Sequence, residues 1–168
     1  MKIIFVAHDV CYAEYMNGLR SSFFEDLGVI TTPFYSEGRR KVGKRSTMEL
    51  AREFDYDRDE LAVLSRMSLN WRLDGSPPPY ENQAVRLASK YGIPYGFLTN
   101  FWSEGYDFGQ WFLNYLLQSR VLILLPKMRK AEVERVQNSF SKKTRLIVGN
   151  NEPRMVAEFL FSALFCQD

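Results

Sequence analysis

Two carboxylates stand at the ends of a short proline-rich segment of the sequence, "LDGSPPPYE". Asp74 precedes Gly75 and Ser76, and Glu81 follows three consecutive prolines and a tyrosine. Because proline fixes φ and has no N–H to donate, the segment cannot lie in a central strand, but it can lead rigidly into the first turn of a helix. Asp74 and Glu81 are therefore predicted at the two ends of a stiff loop, which is either a connection or the floor of an active site.

Other polar and aromatic residues follow the predicted strands. In an open α/β sheet, ligands bind outside the carboxyl ends of the strands, near the point where the strand order reverses. Carboxylates and aromatic rings without a set of metal ligands suit a sugar or a flat base. Besides Gly75 and Ser76, the residues predicted to bind such a ligand are His8, Asp9, Tyr12, Trp102, Asp107 and Asn114.

Several of the predicted site residues also have a structural interpretation. Glu81 would be favoured in the first turn of any helix by the helix macrodipole, and His8 with Asp9 would serve equally as a buried capping pair. The aromatic residues around Trp102 favour packing in the core or in a dimer. Asn114 is a polar residue within the apolar "WFLNYLL", so it needs a partner in an interface or in the site.

The charge pattern gives no general case for nucleic-acid binding, since the formal net charge is only +2. One local basic run, residues 39–45, contains five lysines and arginines. Such a run is typical of a solvated loop, and the alternative is a clamp for the phosphate of a nucleotide.

The composition predicts one packed domain over residues 1–168. Hydrophobic residues make up 46% of the chain and aromatic residues 15%, too much for a disordered or fibrous protein. No apolar run approaches the length of a membrane span, and the start "MKIIFVAHDV" is too short for a signal peptide. We therefore expect a cytoplasmic protein that binds no membrane.

The chain lacks the residues that several common sites require. Two cysteines near opposite ends and a single histidine make a zinc site improbable. Neither a G-x-G-x-x-G after the first strand nor a G-x-x-x-x-G-K-[ST] is present, so dinucleotide and P-loop interpretations lose their main support. Without a G-x-S-x-G, a serine-hydrolase triad is also disfavoured. We predict neither a metal nor another cofactor.

Hydrophobic periodicity predicts strands that alternate with helices along the chain. The predicted strands are residues 3–7, 29–35, 68–75, 93–99, 120–126 and 144–149. The predicted helices are residues 11–27, 47–65 (as one helix or two), 80–91, 106–119, 130–140 and 153–165. Gly28 and Gly92 are predicted to stop two of them. The strongest strands are apolar on both faces, which favours an α/β domain whose mainly parallel sheet is covered on both sides.

Several segments resemble the nucleoside 2-deoxyribosyltransferase family, a flavodoxin-like group of enzymes that transfer glycosyl groups or hydrolyse N-glycosides. "KIIFVA" and "NGLRSSFFEDLGVITTPFYSEG" are similar to the family's opening strand, helix and second strand. "LDGSPPPYENQAVRLASKYGIP" resembles its central motif, an acidic strand end, a loop of the form D-x-G-T-x-x-E and a helix. "SEGYDFGQWFLNYLL" resembles a later segment, E-G-x-G-x-x-x-N-L-x-L, whose asparagine reaches the site of a neighbouring subunit.

The resemblance implies a single flavodoxin-like, Rossmannoid three-layer domain that acts on a small-molecule nucleoside or nucleotide and forms a homo-oligomer. In such an enzyme one carboxylate attacks the anomeric carbon to form a glycosyl ester, and a second acidic group protonates the leaving base. The family's nucleophile falls on Ala84 in this chain, and its loop aspartate falls on Pro78. Glu81 precedes Ala84 on the same helix face, roughly 4.5 Å along the axis. We therefore assign Glu81 as the nucleophile and Asp74 as the acid or orienting group.

A second interpretation is a binding domain without chemistry. "IPYGFLTN", "RVLILLPKMRKAEVERV" and "KTRLIVGNNEP" resemble the amino-terminal half of a two-domain GT-B glycosyltransferase that uses nucleotide sugars. That half does not hold the donor site alone, so the chain would be a partial or regulatory domain that binds a nucleotide or nucleotide sugar. A third interpretation is a non-catalytic nucleotide sensor of the same layout.

Overall fold

The structure is a computed structural model of the chain. It describes residues 1–7, 10–20, 23–35, 47–66, 80–99, 115–124, 145–148 and 152–166, together with the helical positions Lys130, Ala131, Glu134 and Asn138. Eight of the predicted site residues fall outside these ranges and are named with the site below.

Within the described residues, strands and helices alternate along the chain. The strands are β1 (Lys2–Ala7), β2 (Ile30–Tyr35), β3 (Leu61–Arg66), β4 (Tyr95–Thr99), β5 (Val121–Leu124) and β6 (Arg145–Val148). The helices are α1 (Val10–Arg20), α2 (Phe23–Asp26), α3 (Thr47–Glu53), α4 (Tyr80–Tyr91) and α5 (Pro153–Phe165). A short 3-10 helix, Arg58–Glu60, directly precedes β3.

The six described strands form one parallel sheet in the order β2-β1-β3-β4-β5-β6. β1 is an interior strand, because the chain adds β2 on one side of it and β3 on the other. This reversal is a topological switch point, and the carboxyl edge beside it is where open α/β sheets bind ligands. The order of the first five strands is the flavodoxin-like order, so the predicted α/β class with a parallel sheet is confirmed.

Two hydrophobic layers cover the sheet, one on each face. Ile3 and Phe5 pack with residues of α1, α2 and α5, whereas Ile4 and Val6 pack with residues of α3 and α4. Successive side chains of a strand point to opposite faces, and here every residue from Ile3 to Ala7 is fully buried. A strand covered on both faces must be a continuous apolar run, which confirms the predicted three layers.

Glycine and proline occupy positions that suit their backbone chemistry. Gly28 and Gly92 follow α2 and α4 with φ angles of 72° and 70°, the left-handed conformation that commonly ends a helix, as predicted. Pro33 lies in β2, which forms one edge of the described sheet and pairs with β1. Proline lacks the N–H that a second neighbouring strand would require, so an edge strand tolerates it.

The prediction of a helix over residues 47–65 is wrong in its second half. α3 ends at Glu53, and Leu61–Arg66 form β3, which is paired on both sides with β1 and β4. The buried run "LAVL" is short enough to suit a helix or a strand, and its pairing with two neighbours decides for the strand. The strand predicted at residues 68–75 lies outside the described residues.

The other described helices agree more closely with the sequence. α4 and α5 have the predicted bounds, while the helix predicted at residues 11–27 consists of two elements, α1 and α2. None of the helices in the described part of the chain is long and apolar enough to cross a membrane.

Candidate functional site

Three side chains from three elements lie together at the carboxyl end of the sheet, beside the switch point. Tyr12 belongs to the first turn of α1, Arg66 is the last residue of β3, and Glu81 is the second residue of α4. We call this group the Arg66 cluster. Tyr12 and Glu81 are predicted site residues, and Arg66 brings them together.

Glu81 begins the buried face of α4. Glu81, Ala84, Val85 and Ala88 are spaced as i, i+3, i+4 and i+7, and none is more than 1% exposed. Ala84, Val85 and Ala88 pack in the hydrophobic layer between this helix and the sheet. Glu81 is therefore a first-turn acid, as the structural interpretation has it, but it is buried at the polar end of an apolar helix face.

The two carboxylate oxygens of Glu81 have different surroundings. Nε of Arg66 donates a hydrogen bond of 3.1 Å to Oε1 of Glu81. Oε2 is also buried, yet no described residue donates a hydrogen bond to it. A buried polar atom without a hydrogen-bond donor lowers the stability of the folded protein by about 1–3 kcal/mol, so an unpaired oxygen at this position calls for an explanation. An oxygen available to a ligand is one such explanation.

Arg66 is held between a carboxylate and an aromatic ring. Its guanidinium lies 5.5 Å from the centre of the Tyr12 ring, within the range of a cation–π interaction. The Arg66 side chain is 15% exposed and the Tyr12 residue 3%, so most of the cluster is shielded from water. Tyr12 therefore offers little ring surface to a ligand, and one of its contacts is with Arg66.

Buried polar residues concentrate at this edge of the sheet. Four polar or charged residues are buried in the described part of the chain. Ser65 and Thr99 lie at the carboxyl ends of β3 and β4, and Glu81 lies in the first turn of α4, the helix between these strands. Ser65 Oγ donates a 2.9 Å hydrogen bond to the carbonyl of Arg66. The fourth, Ser119, precedes β5 and donates to the carbonyl of Leu116. Polarity at the carboxyl edge is what a ligand site in this fold requires.

The sequence did not indicate Arg66. It follows the apolar "LAVLS" directly, and a charged residue after a buried strand is a recognisable signal for the ligand edge. The prediction of a helix over residues 47–65 concealed that signal, because it left no strand for Arg66 to end.

Ala84, the position that the family resemblance assigns to the nucleophile, is a core position. The residue is fully buried and packs with Ile4, Val63 and other side chains of the layer between α4 and the sheet. In this chain the helix therefore carries its one buried carboxylate a turn earlier, at Glu81.

The remaining predicted site residues lie outside the described residues. They are His8, Asp9, Asp74, Gly75, Ser76, Trp102, Asp107 and Asn114. Their roles, and the separation of the Asp74 and Glu81 carboxyl groups, stay predictions.

A second polar group lies along β2, the edge strand of the described sheet. Arg20 donates from Nε to Thr31 Oγ1 at 3.0 Å and from Nη1 to Asn17 Oδ1 at 2.9 Å. The Tyr35 hydroxyl donates to the same Asn17 oxygen at 3.1 Å. Burial raises the pKa of Tyr35, and Arg20 offsets part of the rise. These groups satisfy one another and tie α1 to the edge strand, which is a structural role.

No group of three or more histidine, cysteine, aspartate or glutamate side chains in the described part of the chain is arranged to hold a metal ion. The Arg66 cluster is the candidate site, and it contains one ion-paired carboxylate, that of Glu81. In comparisons with known proteins, the chain matches no protein-family model and no curated protein significantly.

Proposed function

We propose that the protein binds a nucleoside or nucleotide at the carboxyl end of its sheet and transfers or hydrolyses the N-glycosidic bond, with Glu81 as the nucleophile. One observation carries the proposal: Glu81 is 1% exposed, and its Oε2 has no hydrogen-bond donor among the described residues.

A carboxylate nucleophile needs a fixed orientation, a counter-charge and one oxygen left for the substrate. Arg66 supplies the counter-charge through its hydrogen bond to Glu81 Oε1, and charge-assisted hydrogen bonds of this kind are strong and directional. The buried position keeps competing water away from Oε2. These are the conditions for attack on an anomeric carbon.

The proposed reaction has two displacements. Glu81 Oε2 forms a bond to the anomeric carbon while the N-glycosidic bond breaks, and the departing base takes the proton of the acidic group, which we assign to Asp74. A second base or water then attacks the same carbon while the ester bond to Glu81 breaks, and its proton passes to the Asp74 carboxylate, which restores both carboxyl groups with net retention. Carboxyl groups that work in this way stand about 5 Å apart. Since the two carboxyl groups do all the chemistry, the reaction requires no cofactor.

The proposal extends to assembly and location. The likeness of "SEGYDFGQWFLNYLL" to a segment that reaches a neighbouring subunit supports a homo-oligomer in which Asn114 completes the site. Light scattering that shows a monomer at high micromolar concentration would contradict this. We assign the protein to the cytoplasm, with no nucleic-acid or membrane partner.

The alternative is a nucleotide-binding domain without chemistry, including one that resembles half of a GT-B glycosyltransferase. The observation in its favour is Ala84, a fully buried residue where the resembled family has its nucleophile. In that case the Arg66–Glu81 ion pair would stabilise the domain, and Oε2 would accept a hydrogen bond from a ligand hydroxyl.

The decisive experiment is base exchange and covalent trapping. Wild-type protein is incubated with a deoxynucleoside and a second free base, and with a 2-fluoro nucleoside whose fluorine slows the breakdown of a glycosyl ester. We expect exchange or hydrolysis by chromatography and a mass increase of one fluorosugar on the intact protein. Glu81→Gln should abolish both.

The matched control is Glu158→Gln, which removes an exposed carboxylate that also pairs with an arginine. It should behave as wild type. Full activity in Glu81→Gln would overturn the assignment, and binding without turnover or trapping in the wild type would favour the alternative.

A further inference from the structure

We infer that Arg66 is the positioning residue of the site, which holds Oε1 of Glu81 so that Oε2 is presented to the anomeric carbon. The inference rests on the proposed function, and it concerns a residue that acts through Glu81 without touching the substrate.

The asymmetry of the ion pair carries the inference. Arginine can bind both oxygens of a carboxylate in a two-pronged arrangement, which is the stronger geometry and the one that a purely stabilising pair would favour. Here the pair is joined through Nε and Oε1, and Oε2, although buried, accepts no hydrogen bond from a described residue. The pair therefore fixes the carboxylate while leaving one oxygen for another group.

The position of Arg66 makes it a rigid support. It ends β3, where its backbone pairs with Leu98 of β4, and the neighbouring Ser65 hydroxyl bonds to its carbonyl. Its guanidinium also lies over the Tyr12 ring of α1. Support from a strand and from packed neighbours is what holds a reactive group within the narrow tolerances of catalysis.

The expected effect is on the rate of chemistry and not on substrate affinity. A nucleophile displaced by about 1 Å loses on the order of 100-fold in rate. We expect Arg66→Met to lower kcat and the trapping rate by about that factor while KM changes by no more than about threefold, because the inferred role of Arg66 is exerted through Glu81. Arg66→Lys keeps the charge but lacks the planar Nε donor, so its kcat should lie between those of wild type and Arg66→Met.

The test compares wild type, Arg66→Met, Arg66→Lys and Arg66→Ala in base exchange and in trapping by the 2-fluoro nucleoside, with circular dichroism to establish folding. Methylguanidinium at a non-denaturing concentration should raise the activity of Arg66→Ala at least about tenfold, the order of effect expected when a lost positioning contact is partly restored. Arg154→Met is the matched control, since it removes an exposed arginine that also pairs with a glutamate. A merely structural role would lower the folded fraction without a selective loss of kcat and without rescue.

The outcomes separate this inference from the proposed function. An inactive Glu81→Gln together with Arg66→Met at wild-type kcat overturns the positioning role and leaves the proposed function standing. A wild-type chain without turnover or trapped ester, or a fully active Glu81→Gln, overturns the proposed function and this inference with it. If Arg66→Met does not fold, Arg66→Lys decides: wild-type kcat there overturns the inference, and reduced kcat with unchanged KM supports it.

Discussion

Glu81 and Glu158 each pair with an arginine, but their surroundings give the two pairs different energetic weight. The Glu81 side chain is 1% exposed and its partner Arg66 15%, whereas Glu158 and Arg154 are 55% and 61% exposed. Exposed pairs are screened by water and contribute about 0–1 kcal/mol. Removing one member of a buried pair leaves an uncompensated charge in a poorly solvated position, which is far more costly.

We therefore predict that Glu81→Gln lowers the free energy of unfolding by about 2–3 kcal/mol, somewhat less than for a fully buried pair because Arg66 keeps some contact with water. Glu158→Gln should change it by no more than about 0.5 kcal/mol. Urea unfolding followed by circular dichroism measures both. Equal effects of the two substitutions would show that Glu81 is solvated in the folded protein.

Ala84 supplies a second prediction at the scale of one residue. Placing a glutamate there would restore the residue type that the family resemblance expects, but it would bury an unpaired carboxylate in the hydrophobic layer under α4. We predict that Ala84→Glu lowers the free energy of unfolding by more than about 3 kcal/mol and creates no activity in a Glu81→Gln background.

The control for this prediction is Ala51→Glu, the same change at an exposed position of α3, which should shift the unfolding free energy by no more than about 0.5 kcal/mol. A stable and active Ala84→Glu, Glu81→Gln double variant would mean that the site resembles the family's arrangement after all.

At the scale of elements, the close approach of β4 and β5 depends on a glycine. A Cβ on Gly96 would lie 3.0 Å from the carbonyl oxygen of Val121 and would overlap that residue's Cγ1 more severely. Val121 is itself fully buried, so it cannot move aside without disturbing the core. Strands in a packed sheet therefore admit no extra atom at this position.

We predict that Gly96→Ala lowers the free energy of unfolding by about 1–3 kcal/mol through overpacking. Gly18→Ala in α1 is the opposite case, because no atom beyond its chain neighbours and the backbone of its own helix lies within 4 Å of the added Cβ. It should stabilise the protein by about 0.5–1 kcal/mol, since alanine favours the helix. Thermal or urea unfolding measures the stability of both variants. A Gly96→Ala variant as stable as wild type would contradict the register of β4 on β5.

At the scale of the whole molecule, the half-buried Tyr15 on one face of the sheet and the buried Tyr95 on the other link stability to alkaline pH. Burial raises the pKa of Tyr15 from 10.0 to about 12, and it raises the pKa of Tyr95 as well. Between pH 10 and about 12 the folded protein keeps the Tyr15 proton while the unfolded chain releases it. The folded state binds more protons in that window, so stability falls as the pH rises.

We predict that the free energy of unfolding declines from pH 10 towards pH 12 and that Tyr15→Phe makes the decline shallower. Urea unfolding across this range, with tyrosinate absorbance as a second observable, provides the measurement. Stability that is constant or rises in that window would contradict the burial of these hydroxyl groups.

Local chemistry alone determined much of this protein. Gly28 and Gly92 end helices because glycine adopts positive φ at no steric cost, and "KIIFVA" is a buried strand because its apolar run suits a sheet covered on both faces. The helix predicted over residues 80–91 is likewise observed as α4. Each of these features depends on residues within one element, so the sequence predicts them.

Contacts between elements required the tertiary structure. "LAVLSR" suits a helix or a strand, and only its place between β1 and β4 makes it β3. That placement puts Arg66 at the carboxyl edge, where it meets a glutamate 15 positions later in the chain and a tyrosine of α1. Which oxygen of Glu81 is paired and which has no donor among the described residues depends on ångström distances between separate elements, and sequence spacing does not contain those distances.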